Sequence, residues 1–173
     1  MAGQADFRQA VCHPIPPVWD ACSRVLILGT MPSPKSREQG FYYAHPQNRF
    51  WRVLSALLGQ PCPVTIPEKR AFLLSGHIAL WHVIASCEIT GSSDSSIRNV
   101  VPNDLSLIFR AADIRTVYCN GGTSLRLYQK YQQPVTGIPA AGLPSTSPAN
   151  AVWSLERLCA AWNPIVTALE NKI

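Results

Sequence analysis

Residues 24–58 read RVLILGTMPSPKSREQGFYYAHPQNRFWRVLSALL, and the reading of this stretch decides the fold. Val25, Leu26, Ile27 and Leu28 form a short continuous apolar run, the pattern of a parallel strand covered on both faces. Gly29 ends that strand, and Pro32 and Pro34 are expected to hold the following loop extended. Phe50, Val53, Leu54, Leu57 and Leu58 then recur at helical spacing, with Gly59 placed as the stop. Between strand and helix lie Phe41, Tyr42, Tyr43, His45, Gln47, Asn48 and Arg49. Ligands of open α/β sheets sit outside the carboxyl ends of the strands, so chemistry is expected in this loop.

Toward the N-terminus, residues 1–23 form a polar, proline-containing lead-in, with residues 13–17 extended on the body. Toward the C-terminus, Thr65-Ile66-Pro67-Glu68 is a capping box that opens a helix to about Ser75, closed by Gly76. Residues 78–81 read as a second strand, and residues 82–98 as a long loop rich in Ser and Gly. Loops that long inside a compact domain tend to be functional. Asn103 is expected to cap a helix bearing Leu105, Ile108 and Phe109. Residues 116–119 form a third strand, and Asn120-Gly121-Gly122-Thr123 turns into a helix with Leu125, Leu127 and Tyr128. A short fourth strand is expected over 134–138. Residues 143–150 form a second Pro/Ser loop, ahead of a helix from about Ala151 to Trp162 that Asn163-Pro164 breaks. Strand and helix alternate throughout, which argues for a three-layer αβα sandwich on a mostly parallel, about four-stranded sheet. Residues 1–173 are expected to form one domain, with 163–173 as a C-terminal extension.

A chain of 173 residues is long enough for one domain with a real core, and 47% hydrophobic against 14% charged residues excludes a disordered chain. No apolar run approaches the ~20 residues a membrane span needs. MAGQADFRQA has no apolar segment of the kind a secretory signal carries. A cytoplasmic address is expected, nucleoid-associated in a bacterium and nuclear in a eukaryote. The net charge of +5 suits a polyanionic partner and equally an ordinary surface. With no dense basic tract, a nucleic-acid surface has to be assembled in three dimensions. Cys12, Cys22, Cys62, Cys87, Cys119 and Cys159 are scattered without a C-x-x-C pair, and read as reduced structural thiols.

Four strings carry a resemblance. They are Gly29-Thr30-Met31-Pro32-Ser33; residues 43–51, YAHPQNRFW; residues 94–99, DSSIRN; and residues 143–150, LPSTSPAN. Together they resemble the uracil-DNA glycosylase superfamily, specifically its hypoxanthine-DNA (deoxyinosine) glycosylase branch, over roughly residues 15–162. A lone G-x-x-P is a weak signal, whereas AHPxNRFW at this distance behind it is strong. The resemblance implies removal of a deaminated base from DNA, by a monomer, with no cofactor and no metal. Some relatives in the superfamily carry an iron–sulfur cluster, which needs four thiolates together. Here Cys119 reads as strand core and Cys159 as helix core.

Cleaving a C1′–N bond passes through an oxocarbenium-like sugar, after the base has left the stack for a pocket. In several relatives the residue just before the motif proline is an Asp or Asn that positions the water, and here that slot is Met31. A thioether cannot orient a water usefully, so Met31 is expected only to pack against the base. The resemblance shifts the catalytic role to Asn48, whose amide can both accept and donate. By position alone Asn48 reads as a helix N-cap, and the two roles are compatible. Phe41, Tyr42 and Tyr43 are candidates to stack on the extruded base or to pack the loop, with Tyr43 favoured because it adjoins the AHPxN string. His45 reads as a loop histidine or a base contact. Asp94 is a candidate acceptor for the N1–H of hypoxanthine, or part of a solvated Ser-rich loop.

The second loop resembles the superfamily's motif in which a Pro-Ser pair pinches DNA phosphates. Ser145, Thr146 and Ser147 would supply hydroxyls, and Pro32, Ser33, Arg49 and Arg98 complete the expected DNA contacts. Uracil-specific members place a histidine where this chain has Leu143, which argues against efficient uracil release. Mismatch-specific members follow with a leucine wedge and an arginine, both absent here. His82 stands where the branch carries an acid. No lysine lies in the matched motifs, so no Schiff-base lyase step is expected. The alternatives are a glycosylase of the same fold acting on uracil, xanthine or another lesion, and a non-catalytic module that binds nucleotides or nucleic acid. A serine hydrolase is disfavoured because no G-x-S-x-G elbow is present.

Overall fold

The computed structural model describes residues 8–91 and 93–171. Residues 1–7 of the lead-in, Ser92 of the Ser-rich loop and the last two residues lie outside the described residues. Four strands make the central sheet: β2 (Val25–Gly29), β3 (Ile78–His82), β6 (Thr116–Asn120) and β7 (Ala140–Leu143). Their order is β3-β2-β6-β7 and every pairing is parallel. The register sets Gly29 beside His82 and Asn120 beside Leu143. Four strand ends therefore open on one edge.

The apolar run of β2 is buried throughout because it has a layer on each face. Val25 and Ile27 join the core with Phe50, Val53 and Leu54 of α2 (Phe50–Leu58). That side also holds Phe72 and Leu73 of α3 (Ile66–Ser75), Leu158 and Trp162 of α7 (Leu155–Trp162), and Ile165 of α8 (Pro164–Glu170). Leu26 and Leu28 point the other way, toward Ile108 of α4 (Ser106–Ala111) and Leu127 and Tyr128 of α5 (Gly122–Tyr131). The period-2 alternation of Cβ directions divides one continuous apolar strand between two cores. The three-layer reading holds, as do α2 with its Gly59 stop and the Thr65 capping box with both of its hydrogen bonds.

Several local expectations are overturned. Pro34 does not keep the first loop extended. Its fixed φ suits a helix's first turn, and it opens α1 (Pro34–Gln39), which Ser33 caps by accepting from the Ser36 N–H. The long loop over 82–98 contains a strand, β4 (Ile84–Ile89). β4 pairs antiparallel with β1 (Gln9–Cys12) of the lead-in and with β5 (Arg98–Pro102) to form a second, three-stranded sheet. The Ser and Gly residues there mark its turn and not the whole segment. Asn103 caps no helix. Its amide donates to the carbonyls of His82 (2.9 Å) and Ile84 (3.2 Å) and so fastens the passage from β3 to β4. The fourth strand is not 134–138. Pro34's counterpart there, Pro134, starts the short α6 (Gln133–Thr136), and β7 follows after Gly137. The last long helix begins at Leu155, capped by Ser154, later than Ala151. Among the described residues no helix is long and apolar enough to cross a membrane.

Candidate active site

A cleft of about 390 Å³ opens at the carboxyl edge of the parallel sheet. Its walls include Gly29, Met31, Pro32, Ser33, Tyr43, His45, Asn48, Asp94, Ser145, Thr146 and Ser147, so all four strings, distant in sequence, meet there. A larger cavity of about 600 Å³ opens beside α4 and α6, but none of the motif residues lines it. Of the expected contacts, Arg98 is not on the cleft wall; its guanidinium donates to the carbonyls of Ser95 and Ile97.

Asn48 starts α2 from outside. Its side-chain oxygen accepts the Phe50 N–H at 2.9 Å, and its own N–H donates to the His45 carbonyl at 2.9 Å. The cap position itself falls to Arg49, whose side chain makes no cap bond; Asn48, one residue earlier, instead satisfies the first N–H of α2 and is thereby held on the cleft wall by a rigid element. An amide oxygen keeps a second lone pair beyond the one used for that bond. His45 is exposed at the rim, where Nδ1 accepts the Gln47 N–H at 3.1 Å.

Of the three adjacent aromatics, Phe41 and Tyr42 are core side chains. Tyr42 donates to the Pro16 carbonyl at 2.7 Å and ties the lead-in to the body. Tyr43 alone lines the cleft. It adopts a left-handed backbone (φ 50°), which is strained for a bulky residue, and its ring stacks on Phe50 with centroids 4.0 Å apart. Its hydroxyl is sealed beside Asn120 and lacks a hydrogen-bond partner, and burial raises its pKa above the ordinary phenol value. A Cβ on Gly29 would stand 2.9 Å from that hydroxyl and 2.9 Å from His82 Cδ2, so the floor closes only over glycine.

Besides Arg98, two more residues expected at DNA are committed to the protein itself. Thr146 is fully buried; its hydroxyl accepts from Asn120 Nδ2 at 3.0 Å, and its N–H donates to Asn120 Oδ1 at 3.1 Å. Arg49 is spent as a clamp. Its guanidinium donates to the carbonyls of Ser147 (2.8 Å), Asn150 (3.1 Å), Thr146 (3.4 Å) and Trp153. Ser145 and Ser147 accept backbone N–H groups two residues on, forming the turns of the second loop. Leu143 is core. Asp94 is exposed, yet desolvation at the cleft wall raises its carboxyl pKa, with Arg126 opposing.

Sequence reading missed Asn120 and Arg37, and it singled out His82 without its buried partner His13. The signal for Asn120 and His82 was their place at the last residue of a parallel strand. His82 stacks on Tyr42 (4.9 Å) and meets His13 edge-on (5.1 Å), and His13 Nε2 donates to the Ile84 carbonyl at 2.6 Å. Nδ1 of each ring is sealed without a partner. Desolvation holds both below the ordinary value of 6.5, His82 strongly, and each is further opposed by a neighbouring cation-forming group. The folded state thus refuses protons that the unfolded chain accepts. Stability is complete above about pH 6.5 and is lost as pH falls below it. Between pH 7.5 and 5.5 the pair is expected to cost about 1–2 kcal/mol, measured by denaturant unfolding. His82→Phe, which keeps the stack on Tyr42, should flatten that slope; an unchanged slope would place the titration elsewhere.

The thiols do not fit an iron–sulfur cluster. Among the described residues no three His, Cys, Asp or Glu side chains converge, and Cys119 is sealed in β6 with its thiol pushed up to about 12 by burial.

A parallel sheet with a cleft at its carboxyl edge, walled by G-x-x-P, AHPxN and Pro-Ser loops, defines a base-excision fold. The chain belongs to the uracil DNA glycosylase superfamily, whose family model matches residues 16–169. It is 32% identical over 143 residues to the hypoxanthine DNA glycosylase of Methanosarcina acetivorans, covering 82% of this chain and 90% of that protein. It is likewise 32% identical over 111 residues to the hypoxanthine DNA glycosylase of Methanosarcina barkeri, covering 63% of this chain and 70% of that one. A solution structure from Methanosarcina acetivorans, described as a candidate uracil DNA glycosylase, superposes with a TM-score of 0.76 at 28% identity. It covers 91% of this chain and 99% of its own.

Proposed function

We propose that the chain is a monofunctional DNA glycosylase that hydrolyses the N-glycosidic bond of deoxyinosine, releasing hypoxanthine and leaving an abasic site. The observation that carries this reading is Asn48, held by its bond to the Phe50 N–H on the wall of a cleft that the family motifs assemble. The similarity to two hypoxanthine DNA glycosylases supports the choice of base. The whole of residues 1–173 acts as one catalytic domain and as a monomer on DNA carrying a deaminated base. Its workplace is the cytoplasm with its nucleoid, or the nucleus in a eukaryote.

The flipped purine stacks on the face of Tyr43 that Phe50 leaves free, with Met31 packed against it and Asp94 accepting its N1–H. The second lone pair of Asn48 Oδ1 orients a water toward C1′. As the C1′–N9 bond breaks, its electron pair leaves with the purine, the water oxygen bonds C1′, and the water's proton ends on the released base. Pro32, Ser33, Ser145 and Ser147 present the loop edges to the flanking phosphates. Leu143, buried in the core, offers uracil no equivalent of the histidine used by uracil specialists.

Incubation of the protein with a deoxyinosine duplex in chelator is expected to yield alkali-cleavable sites, faster than with a matched uracil duplex. Hypoxanthine release no greater than in an enzyme-free control, with DNA binding intact, would favour a non-catalytic binding module. Faster release of uracil would keep the superfamily and overturn the branch.

A further inference from the structure

Arg37, on α1, is the only Lys or Arg on the cleft wall among the described residues. It enters from the side of the small sheet, close enough to act electrostatically on His13 and Cys87. Its Nε is sealed from solvent and has no hydrogen-bond partner. Among the described residues no carboxylate lies within ion-pair distance of its guanidinium, and no carbonyl accepts from it. This contrasts with Arg49, whose guanidinium is saturated by four carbonyls. A buried N–H left unmade is costly, and native proteins keep few of them. The two Nη groups are neither sealed nor engaged among the described residues, so on this cleft wall they are the donors that a ligand can reach.

The donor set identifies the partner. A guanidinium presents two parallel N–H groups in a rigid fork, which matches two adjacent in-plane acceptors. Guanine offers such a pair at O6 and N7, and arginine is its commonest reader. Hypoxanthine carries the same O6 and N7; uracil has no N7. We propose that Arg37 grips the O6/N7 edge of the flipped 6-oxopurine, selecting it against pyrimidines and stabilising the charge that the purine gains as C1′–N9 breaks. This rests on the glycosylase reading above. A flanking phosphate is the other anion within the chemistry of an arginine. Arg37 shares its wall with Val11 and Ile89, and such apolar neighbours suit the edge of a purine more than a hydrated phosphate.

The test uses uncleavable duplexes carrying 2′-fluoroarabino-inosine or its 7-deaza counterpart, together with single-turnover release of hypoxanthine. Wild type should bind the 7-deaza duplex ~5- to 100-fold more weakly, the range of one bidentate base contact. Arg37→Ala should bind both duplexes equally and release hypoxanthine ~10- to 100-fold more slowly. Arg37→Met keeps the apolar stem and should behave the same, which covers the case in which the alanine variant is unstable. Equal weakening on both duplexes with a shallower salt dependence would make Arg37 a phosphate contact and overturn the proposal, as would wild-type behaviour of both variants. If wild type itself releases no hypoxanthine, the function proposed above fails; if wild type is active and the variants match it, only the role of Arg37 does.

Discussion

Asn48→Ala is expected to slow single-turnover release of hypoxanthine by ~2–4 kcal/mol of transition-state stabilisation, the scale of losing one positioned polar group. Its structural cost is smaller. The side chain makes one capping bond, to the Phe50 N–H, and loss of such a cap destabilises by ~1 kcal/mol. The two effects are therefore separable: the variant should fold, bind inosine DNA and cleave poorly. Asn48→Asp retains an acceptor for the Phe50 N–H and should unfold like wild type. It removes the Nδ2 donor and adds a negative charge near the cation-like sugar, so its rate reports chemistry apart from capping. Wild-type cleavage by a folded, DNA-binding Asn48→Ala would reduce Asn48 to a helix cap and return the water-positioning role to an unidentified group.

Arg49→Met should lower stability by about 3 kcal/mol, since it removes a charged donor from four carbonyls of the second loop. Arg49→Lys should rescue little, because a point-like ammonium cannot address four carbonyls spread over residues 146–153. Denaturant unfolding reads the stability, and amide exchange over residues 145–153 reads the loop. Exchange there should quicken more than in the parallel sheet, and hypoxanthine release should fall as Ser145 and Ser147 lose their placement. A variant that unfolds like wild type but binds DNA more weakly, with a shallower salt dependence, would restore Arg49 as a phosphate contact.

Arg49 also marks where residue type misleads. An arginine inside a DNA-enzyme motif reads as a phosphate ligand, and only the distance of loop 146–153 from α2 reveals that its partners are backbone carbonyls. Thr146 repeats the lesson. Its hydroxyl looks like one of three phosphate donors, yet burial and the Asn120 amide remove it from the surface.

The sequence by itself determined the α/β class, the parallel strand of 25–29, the helix over 50–58 with its glycine stop, and the capping box at Thr65. Each of these is a local pattern in which period, cap and stop agree. Functional groups alone also make Asn48, and not Met31, the residue expected to position a water, which the Asn48→Ala comparison tests. Tertiary structure decided what local pattern could not. The strands β1, β4 and β5 lack enough apolar alternation to declare themselves; β4 and β5 pair locally, but β1 joins them only by pairing Gln9 with Ile89 and Cys12 with Ser86, far along the chain. The true fourth strand, AAGL, is too short and too small-sided to outweigh a neighbouring proline segment until β6 pairs with it. The register of parallel strands set Gly29 beside His82 and Asn120 beside Leu143, which built the cleft floor from residues scattered through the chain. Which arginine remains free in that cleft, Arg37 and not Arg49, was likewise settled by long-range packing, since a side chain's role follows from the partners that folding brings within its reach.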